Sequence, residues 1–189
     1  MDSINYAIVE AKLHGKVLSP VVSNSINYRY WKSVPDWKRC KECADLHGKI
    51  YSIYEEPTER PPLHFNDRCV MEFLKAIQAG TATINGKDGA DFTLMNTGML
   101  PDYYVTEDEA KNAGWKKGKW PVNFVADKMI TMGVYGNNNK HLPDAPGRIW
   151  YEADINYVTG RRNGQRVLWS NDGLVFVTYN HYETFIEIV

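Results

Sequence analysis

The chain has 189 residues, a formal net charge of −1 and a hydrophobic fraction of 43%. This length allows one ordinary domain or two small ones, and the composition supports a packed core and excludes a disordered chain. The near-zero net charge removes the general argument for nucleic-acid binding through phosphate attraction, so an RNA substrate would need a local site.

Residues 1–30 are weakly patterned, and all three cysteines lie between residues 40 and 69. We expect a short helix around Ile4–Leu13. A second helix is predicted after the last cysteine, because apolar residues there follow helical spacing and Gly80 can end the element. The apolar residues of that second helix are Val70, Phe73, Leu74 and Ile77. We assign residues 1–80 to a small N-terminal domain that contains the cysteines.

Residues 79–98 are rich in Gly, Thr and Asn, which is typical of a connector. We therefore treat residues 81–98 as a linker or first helix, and residues 99–189 as a second domain. Thr106-Glu107-Asp108-Glu109 forms a capping-box pattern, so we predict a helix that begins there and ends at Gly114.

Four strand-like runs follow in the second domain, separated by short polar turns. They are IWYEADINYV, QRVLWS, LVFVTY and ETFIEIV. Connections this short make neighbouring strands antiparallel. The predicted fold class is α+β, with N-terminal helices followed by a twisted antiparallel β-sheet meander.

Alternation along the first run puts Glu152 and Asp154 on one face. The next turn carries Arg161 and Arg162 and leads to Arg166, and the turn between the third and fourth runs carries His181. In a four-strand meander these two turns lie at the same end of the sheet. A carboxylate, several guanidinium groups and an imidazole are therefore expected to converge.

This set of groups suits metal-free cleavage of RNA. A carboxylate can take the proton of the 2′-hydroxyl, and an imidazolium can protonate the departing 5′-oxygen. Arginines can stabilise the charge on the pentacoordinate phosphorus. The alternative is that these are ordinary surface residues at strand ends and in solvated turns.

LPDYYVTEDEAKNAGW and GRIWYEADINYVTGRRNGQRVLWSNDGLVFVTYNHYETFIEI resemble the barnase-like bacterial ribonucleases, from about Met99 to the end. The resemblance implies that Glu152 is the general base and His181 the general acid. It also implies roles for six supporting residues. Arg162 and Arg166 would bind the scissile phosphate, Asp154 would orient them, and Tyr135, Asn137 and Tyr182 would contact the substrate.

Two positions depart from the pattern of that family. Glu107 stands where the family has a catalytic lysine, and Lys111 follows one helical turn later. The loop that reads guanine in the family is Gly-Asn-Asn-Asn at residues 136–139, without the family's arginine and glutamate. We expect altered base preference or reduced activity.

The cysteines form a second candidate site. Cys40 and Cys43 make a CxxC, and His64 and Cys69 follow about twenty residues later. Three thiolates and one imidazole suit a structural zinc ion, with Asp67 or His47 as substitute ligands. Buried reduced cysteines, or a disulfide between Cys40 and Cys43, are the alternatives. No cofactor is expected for catalysis.

Residues 31–74 resemble the C-terminal part of phage head-morphogenesis proteins of the Mu F-like minor head type, through WKSVPDWKRCKEC and PPLHFNDRC. This implies a phage-derived or delivery-linked carrier attached to the nuclease. The ribonuclease resemblance of residues 99–189 implies single-stranded RNA as the substrate and a barstar-like immunity protein as a partner. The start of the chain shows no standard signal peptide, and no apolar run reaches membrane-helix length.

Two functional hypotheses follow. The first is a delivered toxin or effector, or a phage-associated nuclease, that acts in the cytoplasm by 2′-hydroxyl transphosphorylation through a 2′,3′-cyclic phosphate. The second is a phage head-associated structural protein whose nuclease-like domain binds RNA without cutting it. A zinc-containing nucleic-acid-binding module is a weaker third interpretation.

Overall fold

A computed structural model describes residues 22–189. The helix expected around Ile4–Leu13 lies outside the described residues. The described part forms one nine-stranded sheet with three short α-helices. The strands are β1 (Val22–Lys32), β2 (Ile50–Ser52), β3 (Val70–Ile77), β4 (Tyr104–Thr106), β5 (Met129–Tyr135), β6 (Trp150–Asp154), β7 (Arg166–Ser170), β8 (Val175–Thr178) and β9 (Ile186–Ile188), and the helices are α1 (Lys41–Leu46), α2 (Ala90–Thr97) and α3 (Glu107–Asn112).

The strand order across the sheet is β2-β1-β3-β9-β8-β7-β6-β5-β4. Strands β5 to β9 are consecutive antiparallel neighbours, so the predicted meander is present. It has a fifth strand, β5, that the sequence pattern did not indicate. In β5 the pairing register with β6 shifts between Thr131 and Gly133, and Gly133 has φ +76°. A bulge with a central glycine breaks the alternation that marks a strand in sequence.

The predicted helix over residues 70–77 is wrong, because this segment is strand β3. Its apolar residues fit the two-residue repeat of a strand as well as the helical repeat. Leu74 and Ala76 lie on one face of the strand and are buried. β3 pairs with β1 on one side and runs parallel to β9 on the other. Pairing with two strands decides the conformation against the weak helical signal.

The N-terminal strands continue the sheet of the C-terminal half through the β3–β9 pairing. N-terminal helices are not supported as the opening of the fold, since the described chain begins with β1 and α1 has only 6 residues. The division between residues 1–80 and 99–189 stays a prediction. Close to the predicted end of the first domain at residue 80, Ala76 and Ile77 pair with Glu187 and Ile188 of the second.

The helix α3 begins at the residue that its sequence predicts. In α3, the Thr106 hydroxyl accepts from the Glu109 N–H and the Glu109 carboxylate accepts from the Thr106 N–H, which confirms the capping box. α2 lies in the segment treated as a linker or first helix and ends at Gly98 with φ +71°. No helix in residues 22–189 is long and apolar enough to cross a membrane.

The central strands β7 and β8 are buried on both faces of the sheet. Val167 and Val177 pair across β7 and β8 and pack with Ala90 and Leu94 of α2. Leu168 and Phe176 also pair across these strands, and they contact a second cluster on the opposite face. That cluster contains Ile50, Leu74, Leu142, Trp150 and Phe185. Glu152 is in register with Leu168, so its side chain belongs to this second face.

Candidate active site

Glu152 is half-buried in the middle of β6. Its carboxylate accepts a 2.5 Å hydrogen bond from the hydroxyl of Tyr182. Burial, followed by the neighbouring Glu152 charge, raises the pKa of Tyr182, so the phenol keeps its proton and acts as the donor. This contact ties the Glu152 side chain to the β8–β9 turn, which carries Tyr182.

Asp154 lies two residues further along β6 and is 1% exposed. Its two oxygens accept 2.6 Å hydrogen bonds from Nε and Nη2 of Arg162. Nη1 of Arg166 lies 3.0 Å from the same carboxylate. Burial would lower the pKa of Arg162, but the pairing with Asp154 raises it, so the guanidinium remains charged. One buried carboxylate therefore fixes two guanidinium groups beside Glu152.

Arg166 is 5% exposed and is also held by backbone acceptors. Its Nη1 donates to the carbonyls of Asn163 (2.8 Å) and Gln165 (2.6 Å). Its Nε is buried and has no hydrogen-bond partner among the described residues. A buried donor without a partner costs free energy.

His181 sits in the turn between β8 and β9, where its N–H donates to the Gly164 carbonyl at 3.0 Å. This bond ties the turn to the arginine-bearing loop. A Cβ on Gly164 would lie 3.2 Å from the Cβ of His181, so the close approach favours glycine. His181 and Tyr182 both have positive φ, at 57° and 70°. Such backbone is uncommon for side chains of this size and marks functional turns.

The loop after β5 is held by Asn137. Its side chain accepts from the Leu142 N–H at 3.1 Å and donates to the Leu142 carbonyl at 3.0 Å. The Asn137 side chain therefore braces the loop, and its contact with substrate stays a prediction. Tyr135, at the end of β5, stacks on Tyr182 with ring centroids 5.2 Å apart. A groove of about 400 Å³ runs along this loop and Tyr135.

Glu107, at the start of α3, does not stand alone. Its carboxylate lies 3.2 Å from Nζ of Lys111 and 3.5 Å from Nζ of Lys117. Burial would raise the pKa of Glu107, but the neighbouring Lys111 and Lys117 lower it, so it remains a carboxylate. Both lysines are therefore partly neutralised by Glu107, the residue at the position where the resemblance places a lysine.

The structure thus brings Glu152, Tyr182, His181 and two arginines to one end of the sheet. The sequence model of a family described as ribonuclease matches residues 87–189. The chain belongs to this ribonuclease family. It is an endoribonuclease.

Individual relatives agree with the family match. The ribonuclease of Heyndrickxia coagulans is 44% identical over 108 residues, which cover 57% of this chain and 99% of the relative. The ribonucleases of Bacillus intermedius and Bacillus pumilus are each 44% identical over 108 residues, which cover 67% of each relative. The resemblance to bacterial ribonucleases is confirmed. The resemblance of residues 31–74 to phage head-morphogenesis proteins stays a prediction.

Sequence reasoning missed one residue of this ribonuclease site, Trp115. Its ring is buried, and the guanidinium of Arg162 lies 5.8 Å from its centroid. A cation over an indole face is stabilised by the ring quadrupole. The signal was present as WKKGKW over residues 115–120, in which tryptophans flank three lysines.

The cysteines and His64 of the candidate metal site also lie close together in the structure. Nε2 of His64 lies 3.3 Å from Sγ of Cys40 and 3.4 Å from Sγ of Cys43. Cys69 and Asp67 group with Cys43, with ligand atoms within 4.8 Å of one another. All three cysteines are free thiols, so the disulfide alternative is not formed. His47 is engaged elsewhere, because its Nδ1 accepts from the Ser33 N–H at 3.0 Å.

Replacing Asp154 tests the pairing that organises the ribonuclease site. Asp154→Asn leaves buried Arg166 without its counter-charge, so we expect the free energy of unfolding to fall by about 3 kcal/mol. The measurement is urea denaturation followed by circular dichroism. Asp172→Asn is the matched control, since Asp172 pairs with Arg148 but its side chain is 46% exposed. We expect that change to cost under about 1 kcal/mol, and equal losses would contradict the argument.

Proposed function

We propose that this endoribonuclease cleaves single-stranded RNA without a metal, by attack of the 2′-hydroxyl through a 2′,3′-cyclic phosphate. The observation that carries the proposal is the convergence of Glu152, His181 and the two arginines held by Asp154. A carboxylate, an imidazole and a cationic phosphate site are the groups that the two proton transfers of this reaction require.

In the first half of the step, the carboxylate of Glu152 takes the proton of the 2′-hydroxyl while the 2′-oxygen bonds to phosphorus. The Tyr182 hydroxyl occupies this carboxylate at 2.5 Å, so substrate must displace or share that bond. In the second half, the bond from phosphorus to the 5′-oxygen breaks, and the imidazolium of His181 gives that oxygen its proton.

The arginines stabilise the charge that accumulates on the phosphoryl oxygens. Arg162 and Arg166 are already positioned by Asp154, so little reorganisation is needed when the charge develops. The unpartnered Nε of Arg166 is an additional donor that a phosphate oxygen can satisfy.

Base preference would be weaker than in relatives that carry a glutamate in the guanine-reading loop. Asn138 and Asn139 replace charged residues, and the Asn137 amide is used within the loop. Stacking on Tyr135 and hydrogen bonds from loop backbone would remain. Bases must be unstacked to reach these groups, which favours single-stranded RNA.

Removing either proton-transfer group should abolish cleavage. We expect Glu152→Ala and His181→Ala each to lower kcat/KM on single-stranded RNA by about 10²-fold or more, because each removes one acid–base contribution. The measurement is the initial rate on a fluorescent oligoribonucleotide. Initial rates in EDTA should equal those without it, and DNA of the same sequence should stay intact because it lacks the 2′-hydroxyl.

Glu183→Ala is the matched control, since Glu183 is an exposed carboxylate in the same turn as His181. Its rate should equal that of the wild type. Loss of cleavage in EDTA by protein that remains folded, together with full activity of both site variants, would disprove the mechanism. Intact RNA at high wild-type concentration would favour the structural protein of the second hypothesis.

We propose in addition that Cys40, Cys43, His64 and Cys69 hold a structural zinc ion. Nδ1 of His64 donates to the Phe65 carbonyl at 2.9 Å, which leaves the Nε2 lone pair facing two sulfurs, as in metal-bound histidines. Both Asp67 oxygens accept 2.7 Å backbone hydrogen bonds, so Cys69 fits better as fourth ligand.

The thiols differ in how easily they would lose a proton to the metal. The Cys43 N–H lowers the pKa of Cys40, whereas burial raises the pKa of Cys43. A bound cation favours the thiolate form of both. The ion would stabilise a segment that has few other buried apolar residues, chiefly Trp31 and its neighbours.

Metal content tests this assignment. Protein purified from zinc-supplemented medium should hold about one zinc ion per chain, and Cys43→Ser should hold none. The measurement is elemental mass spectrometry with a thermal melt before and after chelation. His181→Ala serves as the histidine control and should retain zinc. Wild-type protein without zinc, or equal zinc in Cys43→Ser, would rule out the site.

We further propose that the ribonuclease is a toxin or effector module that acts in the cytoplasm of a target cell. The similarity of residues 31–74 to phage head-morphogenesis proteins supports a phage-derived or delivery-linked carrier. An enzyme of this kind requires neutralisation in the producing cell, which favours a barstar-like immunity protein. Glu107 and the asparagines of residues 137–139 change the charges near the active site. The contacts between the immunity protein and this enzyme would therefore differ from those in the family.

Growth tests the effector role. Induced expression in a bacterial cytoplasm should arrest growth, because the enzyme would degrade cellular RNA, and Glu152→Ala at equal expression should not. The measurement is optical density after induction with protein levels compared by immunoblot. Normal growth with soluble, RNA-cleaving wild-type protein would argue against a toxin.

A further inference from the structure

An aromatic and basic groove lies beside the active site. It has a volume of about 560 Å³ and is lined by Gly118, Lys119, Trp120, Asn123, Phe124 and Arg161. We call it the Trp120 groove. Trp120 is 49% exposed and Phe124 is 38% exposed, so two large rings face solvent at this site.

The groove is locally cationic although the chain as a whole is nearly neutral. The segment from Trp115 to Trp120 holds three lysines and no acidic residue. Lys117 is paired with Glu107. In residues 22–189, by contrast, neither Lys119 nor Arg161 has an ion pair or a side-chain hydrogen bond with another residue. Two free cations therefore accompany the exposed rings.

The groove shares a wall with the phosphate site. Trp115 donates from Nε1 to the Lys119 carbonyl at 3.0 Å, and its ring lies 5.8 Å from the Arg162 guanidinium. Arg161 precedes Arg162 in the same loop, but Arg161 is exposed whereas Arg162 points to buried Asp154. The same loop thus presents one guanidinium to each site.

We propose that the Trp120 groove binds a nucleotide of the RNA strand next to the one that is cleaved. A base would stack on Trp120 or Phe124, and the adjoining phosphate would contact Lys119 and Arg161. Aromatic rings beside cations form the usual platform for single-stranded nucleic acid, and stacking tolerates any base. This inference rests on the proposed cleavage of single-stranded RNA and extends it to a second nucleotide site.

The groove would also supply cationic contacts that the active site lacks. Glu107 neutralises Lys111 and Lys117, and the base loop carries no charged residue between Gly136 and Asn139. Part of the affinity for the RNA strand would then come from the Trp120 groove, outside the site where the bond is cleaved. Longer substrates should be favoured over a dinucleotide.

The test compares a dinucleotide with a seven-nucleotide RNA that contains the same cleavable step. We expect wild-type kcat/KM to rise with length, and Trp120→Ala to reduce this gain about tenfold, as expected for one lost stacking contact. Trp120→Phe should restore most of it. Trp37→Ala is the matched control, because Trp37 is 88% exposed and lies in the N-terminal part.

A binding measurement separates the groove from catalysis. In the Glu152→Ala background, fluorescence anisotropy gives the Kd of the seven-nucleotide RNA at several salt concentrations. Arg161→Ala should weaken binding and lower the slope of log K against log salt by about 0.7, the value for one single-strand phosphate. Circular dichroism confirms that the variants are folded.

Three results would overturn the inference. These are an equal loss on both substrates in Trp120→Ala, no gain with length in the wild type, and no change in Kd or slope in Arg161→Ala. The last result would leave a protein partner as the better occupant. If wild-type protein cuts no RNA, the proposed function fails, whereas the binding arm still tests the groove.

Discussion

The buried carboxylate of Asp154 is the interaction on which the rest of the site depends. It is 1% exposed and pairs with two guanidinium groups, one in the β6–β7 loop and one at the start of β7. Without it, two cations would sit close together in a region of low dielectric constant. The loop that carries these arginines is also tied to the β8–β9 turn, because the His181 N–H donates to the Gly164 carbonyl.

The sheet supplies the rigid frame for these contacts. β6 to β8 are covered on both faces, so Glu152 and Asp154 project from strands whose neighbours cannot shift without opening the core. The N-terminal strands add to this frame, since β3 pairs with β9 and Asn27 donates to Glu187 at 2.9 Å. The segment that contains the cysteines is therefore mechanically connected to the nuclease sheet.

Several polar and charged groups around this frame are engaged by neighbouring residues of the chain. Glu107 holds two lysines, Asn137 braces its own loop, and the Tyr182 hydroxyl rests on Glu152. These contacts rearrange charges and donors at the rim of the site. The frame can accept such changes because the rim residues lie in loops and at helix ends, where substitutions disturb little packing.

The sequence by itself determined the strands of the meander, the cap of α3 and the residues that converge at one end of the sheet. These follow from local alternation, capping chemistry and short turns, which neighbouring residues decide. Only the tertiary structure decided that residues 70–77 form a strand, because pairing with β1 and β9 outweighs their helical spacing. Likewise, the bulged strand β5 and the placing of Trp115 under Arg162 depend on partners distant in the chain, which no local pattern records.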